Sequence, residues 1–214
     1  MGNFSQKFRY HWRRYLAIGF LSLAIAFEVG YFVAGILSMW AYGSGGISSF
    51  SFIWNFVILM ICYVMMLQGN VRNSYIAYRG VLSFTFLSTI VMIVDVIFNG
   101  ASLLANSSSP IGLVIALGTL LFTIGQIVLG IFCYIRLYGL MARGYTNFKA
   151  LALFFSFFLG TLIISNLFTI LYEFLLNDLL SSGNIYLVLL ILLSPISELF
   201  AAAGALVTIF RLRE

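Results

Sequence analysis

Every lysine and arginine of this chain falls on one side of a map with six membrane-crossing segments. These residues occupy the N-terminal segment, the second and fourth connections, and the C-terminus. The eleven are Lys7, Arg9, Arg13, Arg14, Arg72, Arg79, Arg136, Arg143, Lys149, Arg211 and Arg213. The first, third and fifth connections carry none. Because basic residues mark the cytoplasmic side of inserted helices, the distribution predicts six transmembrane helices with cytoplasmic N- and C-termini.

The composition makes lipid the main solvent of the chain. Hydrophobic residues account for 63% of it and charged residues for 8%, against about 25% charged residues in a typical soluble domain. Nucleic-acid binding would need a basic face on a folded soluble module, and no segment is long enough to form one. We therefore expect the lipid bilayer as a partner and no nucleic acid.

Apolar segments of membrane-spanning length set the predicted fold. A helix needs about 20 apolar residues to cross about 30 Å of hydrocarbon, and six segments qualify: 15–39, 50–67, 81–98, 111–134, 150–172 and 185–210. The exterior connections are short and rich in Gly, Asn, Ser and Pro, as turns are. The sequence predicts one all-α polytopic bundle over residues 1–214, integral to the plasma membrane.

An aromatic–basic pair opens each odd-numbered segment: Trp12-Arg13, Tyr78-Arg79 and Phe148-Lys149. This pattern predicts three helical hairpins. A true internal repeat would produce it, and so would the preference of both residue types for the headgroup region. Residues 1–14 mix aromatic and basic side chains, which predicts an interfacial N-terminal segment.

Three acids lie within the predicted spans: Glu28, Asp95 and Glu198. At 1.5 Å per residue they lie about 20–24 Å from the cytoplasmic ends of their helices. No lysine or arginine lies in any span to neutralise them. Since an ionised carboxylate near the bilayer centre costs at least about 2.5–3.5 kcal/mol, each acid must be protonated, face water or bind a cation. We expect the three to converge on one cavity, open toward the exterior half of the membrane.

Other residues are expected to shape this cavity. Gln126 and Asn166 are candidates to complete its polar lining, and Pro195 is expected to kink the sixth helix. Small residues at Ser22, Ala26 and Gly30, and at Ser197, Ala201 and Ala205, predict helix contacts. On this interpretation Glu28 points away from the stripe of small residues on its own helix. The structural alternative is that the acids and amides are hydrogen-bonded between helices.

No recognisable catalytic motif occurs, and the chain has one histidine and two cysteines. We therefore predict neither an enzyme nor a cofactor or metal site. The leading hypothesis is a transport-type protein, either a small permease or the membrane subunit of a transporter. Its carboxylates would carry a proton, a cation or a cationic substrate. The alternative is a non-transporting assembly, immunity or regulatory subunit that binds other membrane proteins or lipids.

Candidate protein partners are another membrane subunit and an ATPase subunit. The expected docking surface is formed by the interior loops Gln68–Arg79 and Arg136–Lys149, where tyrosines accompany few charges. The residues assigned to it are Arg72, Tyr75, Arg79, Arg136 and Arg143.

The topology is testable by cysteine labelling in a background that lacks Cys62 and Cys133. Three positions sample the predicted exterior connections: Gly45, Asn106 and Ser182. A single cysteine at any of them is expected to react from outside with an impermeant thiol reagent. Labelling of Asn73→Cys from outside intact cells would contradict the predicted orientation.

Overall fold

Long α-helices make up the fold. The structure is a computed structural model that describes residues 2–42, 49–71, 73–105, 109–143, 147–176 and 185–212. Within these ranges the chain forms six helices: α1 (Gly2–Tyr42), α2 (Ser49–Val71), α3 (Ser74–Ala105), α4 (Pro110–Arg143), α5 (Phe148–Leu176) and α6 (Ile185–Leu212). Each contains a stretch long and apolar enough to cross a membrane. The predicted all-α fold with six membrane-length helices is confirmed.

The helices extend beyond the predicted spans. α2 continues to Val71 and α4 to Arg143, so most of the predicted loops 68–79 and 136–149 is helical. The prediction of loops there was wrong, because hydropathy marks only the part of a helix suited to hydrocarbon. Backbone hydrogen bonding continues through the more polar residues beyond it. The predicted exterior positions Gly45, Asn106 and Ser182 lie outside the described residues.

The N-terminal segment belongs to the first helix. Residues 2–14 and the first span form the uninterrupted helix α1, rather than two helices separated by a turn. Placement of residues 1–14 at the membrane interface remains a prediction.

Polar caps define where three of the helices begin. The Oδ1 of Asn73 accepts a hydrogen bond from the amide two residues further on, at 2.9 Å. Ser109 Oγ and Asn147 Oδ1 each accept one from the amide three residues on, at 3.0 and 3.2 Å. Pro110 is the first residue of α4, a position where its missing amide hydrogen costs nothing. These caps satisfy donors that a helix start leaves unpaired.

The helices form a closed ring. Each described helix contacts the next one along the chain, and α6 returns to contact α1. α6 also reaches across to α2 and α3. The most extensive contacts join α1 to α6, α4 to α5, and α2 to α3. Each of these pairs joins helices from two different predicted hairpins. The three-hairpin arrangement remains a prediction.

One half of the bundle contains the helix ends that carry lysine and arginine, and we call it the basic half. The tightest apolar packing of the bundle lies there. The basic half contains the end of α2, the start of α3, the end of α4, the start of α5 and the end of α6, together with the part of α1 around Leu21. Its largest fully buried apolar side chains are Tyr63, Phe155, Phe158, Leu21 and Met66. Apolar contacts therefore close this half.

Glycines allow the helices of the basic half to approach closely. A Cβ on Gly80 of α3 would lie 2.8 Å from the backbone nitrogen of Met66 in α2. A Cβ on Gly204 of α6 would lie 2.6 Å from Cδ2 of Leu21 in α1. At Gly80 the neighbour is backbone, so the close approach of α2 and α3 depends on the absence of a side chain. At Gly204 the Leu21 side chain would have to shift to admit a Cβ.

A polar network joins α6 to the α2–α3 connection. Buried Asn70 donates from Nδ2 to Thr208 Oγ1 at 3.1 Å. Arg211 donates from Nη1 to Asn70 Oδ1 at 2.8 Å and also to the Asn70 carbonyl oxygen. Tyr78 donates its hydroxyl hydrogen to the Leu212 carbonyl at 3.3 Å. Three helix ends are thus held together at the extremity of the basic half.

Gly80→Ala is expected to destabilise the protein by about 1–3 kcal/mol, the usual cost of overpacking, because the new Cβ meets the backbone of α2. Gly139→Ala is the matched control, since a Cβ there meets nothing within 4 Å. Thermal unfolding in a mild detergent measures both. Equal melting temperatures for the two variants would contradict the close α2–α3 approach.

Candidate functional site

A cavity of about 590 Å³ lies in the half of the bundle away from the basic helix ends. We call it the central cavity, because all six helices contribute to its lining. Its polar lining residues are Glu28, Tyr31, Asn55, Ser88, Asp95, Thr119, Thr123, Gln126, Ser165, Asn166, Thr169, Ser194 and Glu198. Phe84 and Phe158 line it where it meets the packed basic half.

The structure brings the three predicted carboxyl groups to this one cavity. Glu28 comes from α1, Asp95 from α3 and Glu198 from α6. The Glu28 side chain is 4% exposed, Glu198 is half-buried and Asp95 is exposed. Glu198 interacts electrostatically with both other acids. Their convergence agrees with the expectation from burial cost, whereas their role in binding an ion or substrate remains a prediction.

Glu28 lies on the face of α1 that packs against other helices. The buried positions of this face are Ala17, Leu21, Ala24 and Glu28, spaced by four, three and four residues. The predicted contact stripe on α1 was wrong for Ser22 and Ala26, which are exposed, whereas a Cβ on Gly30 would lie 3.6 Å from Leu193 of α6. The reason is that α6 supplies the small residues at this contact, so a leucine on α1 can fill the space beside Gly204.

The predicted stripe on α6 does hold the helix contact. Ser197, Ala201 and Ala205 are each fully buried. Ser197 Oγ donates to the carbonyl oxygen of Ala24 in α1 at 3.0 Å. This bond lies one turn before Glu28 on α1 and one residue before Glu198 on α6, so it brings the two acids to neighbouring positions.

Pro195 lies inside α6, which continues unbroken from Ile185 to Leu212. Pro195 and Ser194 both line the central cavity. Ser197 bonds to α1 rather than to a carbonyl freed by the proline. The kink itself remains a prediction.

Gln126 and Asn166 face the same cavity from α4 and α5. Gln126 is 2% exposed. Its Nε2 and the Nδ2 of Asn166 are buried with no hydrogen-bond partner in the described structure. Asn166 lies close enough to Glu198 to interact with its carboxyl group, but Nδ2 makes no hydrogen bond of normal geometry. The two amides therefore carry unused donors at the cavity.

The lining hydroxyls of α4 and α5 behave differently. Thr119 and Thr123 donate to carbonyl oxygens four residues earlier in α4, at 3.0 and 2.8 Å. Thr169 does the same in α5, at 3.1 Å. Thr123 and Ser165 also share a hydrogen bond of 3.2 Å between the two helices. These hydroxyls are already satisfied, and the Thr123–Ser165 bond joins α4 to α5.

Sequence reasoning missed Tyr31, Ser88 and the lining threonines. Helical spacing carried the signal: Tyr31 follows Glu28 by three residues, and Thr119 and Thr123 precede Gln126 by seven and three. Residues at such intervals share a helix face. A search for further polar residues on the helix face that carries each predicted acid or amide would have identified them.

The residues predicted for partner docking lie on helices rather than in loops. Tyr75 and Arg79 are both exposed on α3, and the Arg79 guanidinium carbon lies 4.9 Å from the centre of the Tyr75 ring. Arg136 and Arg143 are exposed on α4. Arg72 lies outside the described residues. Docking at this surface remains a prediction.

A second concavity of about 520 Å³ lies between α5 and α6 in the basic half. Its lining is mostly apolar, with Lys149 and Ser156 as the polar members. It contains no acid or amide, so it lacks the chemistry of the central cavity.

The described residues contain no group of three or more His, Cys, Asp and Glu side chains that could hold a metal ion. No protein-family model, no curated protein and no solved structure matches the chain. The chemistry of the central cavity is therefore the basis for a functional proposal.

Thiol labelling tests the charge and water access of the central cavity. In a background with Cys62 and Cys133 replaced by alanine, Ser88→Cys is expected to react about tenfold faster with a cationic methanethiosulfonate than with an anionic one. The reason is that carboxylates in a narrow cleft concentrate cations. Labelling rates of the purified protein measure this preference.

Two variants control that experiment. Ala202→Cys, at a core position with no exposure, should react slowly with both reagents. The triple variant Glu28→Gln, Asp95→Asn and Glu198→Gln should lose the cationic preference at Ser88→Cys. A preference unchanged in the triple variant would show that the three acids contribute no negative charge.

Proposed function

We propose that this chain is a transport-type integral membrane protein, either a small permease or the membrane subunit of a transporter. Its central cavity takes up a proton, a cation or a cationic substrate. The observation that carries the proposal is the convergence of three carboxyl groups on a cavity with no lysine or arginine among its described lining residues.

The cost of burying carboxylates supports a cationic occupant. Three acids in lipid would each bear the penalty of an unpaired charge, and like charges that share a cavity also repel one another. A bound cation or protons would relieve both costs. A purely structural role would instead satisfy the buried amide donors near the acids, whereas Gln126 Nε2 has no hydrogen-bond partner in the described structure.

The division of the bundle supports a path with two sides. The central cavity lies on one side of the membrane-spanning region, and the apolar core of the basic half closes the other. Transport would require this core and the Asn70–Arg211 network to open in a second state. With the basic half on the cytoplasmic side of the plasma membrane, the cavity would face the exterior in the present state.

The exposed Tyr75, Arg79, Arg136 and Arg143 are proposed to contact a further subunit. An ATPase partner there would supply energy directly to the helix ends that close the basic half. A protein that acts without such a partner would draw its energy from the gradient of the transported cation.

Reconstitution tests the transport function. Purified protein in liposomes, adsorbed on a solid-supported electrode, receives concentration jumps of protons, sodium, potassium or organic ammonium ions. At least one of these should give a transient current. The triple variant should reduce it about tenfold, as expected for a loss of about 1.4 kcal/mol of cation binding.

Glu214→Gln, a change beyond the last residue of α6, is the control and should leave the current unchanged. Absence of current with every cation, or equal current from a folded triple variant, would contradict the proposal. Either result would favour the assembly or regulatory subunit, with the acids as interhelical hydrogen-bonding groups.

A further inference from the structure

We infer that the occupant of the central cavity is an organic ammonium cation that carries an apolar or aromatic body and a hydrogen-bond acceptor. This inference rests on the proposed function and narrows its substrate class. On this inference the main occupant is not a bare inorganic ion.

The cavity has the size of a small-molecule site. Its volume of about 590 Å³ falls within the range of about 300–1,000 Å³ that ligand pockets occupy. A dehydrated inorganic ion would leave most of this space to be filled with water. An organic cation of several carbon atoms would contact walls on opposite sides.

The three acids of the central cavity do not belong to one helix. They come from three helices, and the described residues contain no group of three or more His, Cys, Asp and Glu side chains that could hold a metal ion. Glu28 and Glu198 interact electrostatically across the α1–α6 contact. An ammonium group between these two would be attracted by both, without the short oxygen distances that a metal ion demands.

Aromatic rings provide the apolar part of the lining. Tyr31, Phe56, Phe84 and Phe158 all line the central cavity. Aromatic faces attract organic cations and also pack against apolar bodies. This combination of carboxyl groups and rings is complementary to an amphipathic cation and gives little advantage to a strongly hydrated inorganic one.

The unused amide donors indicate the third feature of the ligand. Gln126 is almost fully buried and lines the cavity, yet its Nε2 has no partner in the described structure. Asn166 Nδ2 is also buried, without a hydrogen bond in the described structure, and lies close to the Glu198 carboxyl group. Buried polar atoms are nearly always hydrogen-bonded, so an acceptor on the ligand would complete the site. A hydroxyl, ether or carbonyl oxygen meets this requirement.

Binding by a matched set of amines tests the inference. The probes are the three ring isomers of 2-(methoxyphenyl)ethylammonium. 2-Phenylethylammonium lacks the acceptor, and the corresponding methoxyphenylethanols lack the charge. Titration calorimetry on the full-length protein in detergent should give saturable binding for at least one methoxy amine. The corresponding uncharged alcohol should bind the unmodified protein at least about tenfold more weakly than the amine does. The amine should likewise bind the triple variant at least about tenfold more weakly than it binds the unmodified protein.

The acceptor is tested by Gln126→Met, which keeps a similar side-chain length and removes the amide. This variant should abolish the advantage of the methoxy amine over 2-phenylethylammonium, measured as the ratio of their two dissociation constants. Thr169→Val is the matched control, because its hydroxyl is already bonded within α5, and it should preserve the advantage. Unliganded melting temperatures confirm folding, and Asn166→Leu repeats the test if Gln126→Met does not fold.

The outcomes separate the inference from the proposed function. Inorganic-cation currents that require the acids, with no amine binding, would overturn the inference and retain transport. Amine binding without any current would retain the ligand class and contradict transport. Equal binding of amine and alcohol, or no binding of any probe with no current, would overturn the inference.

Discussion

The contact between α1 and α6 positions the rest of the candidate site. Leu21 fills the space that Gly204 leaves open, and Ser197 donates to the carbonyl of Ala24 one turn further along α1. This close approach brings Glu28 beside Glu198. α6 also contacts α2, α3 and α5, so its position relative to α1 bears directly on where those three helices lie.

The bundle divides into two halves because different side chains fill the space between the helices. In the basic half, glycine and alanine on one helix oppose leucine, methionine or aromatic residues on the next, so the gaps close. In the other half, carboxyl, amide and hydroxyl groups share the lining with apolar side chains, and a cavity remains. A transporter needs such an asymmetry in each of its states, with one side open and the other closed. The Asn70–Arg211 network adds polar bonds to the closed side, where a second state would have to break them.

Hydrogen bonding separates the polar groups of the cavity into two kinds. The threonines of α4 and α5 donate to their own helix backbone, so they are compatible with an apolar interior whether or not a ligand binds. Gln126 and Asn166 keep unpaired donors, and the carboxyl groups gather without a basic residue in the described lining. Burying these amides and carboxyl groups would cost free energy if their role were only structural. That cost is the physical reason for assigning binding to the acids and amides rather than to the hydroxyls.

The sequence by itself determined the number of apolar helices, because each span must satisfy its backbone hydrogen bonds internally and be long enough to cross hydrocarbon. It also singled out Glu28, Asp95 and Glu198, since charge at membrane depth carries a cost wherever the helices lie. Hydropathy could not locate the helix ends, which depend on caps such as Asn73 and Asn147. It also could not show which face of α1 is buried, because that depends on the partner helix. Only the tertiary structure decided that α6 provides the small residues, that Glu28 therefore faces the bundle, and that all six helices enclose one cavity.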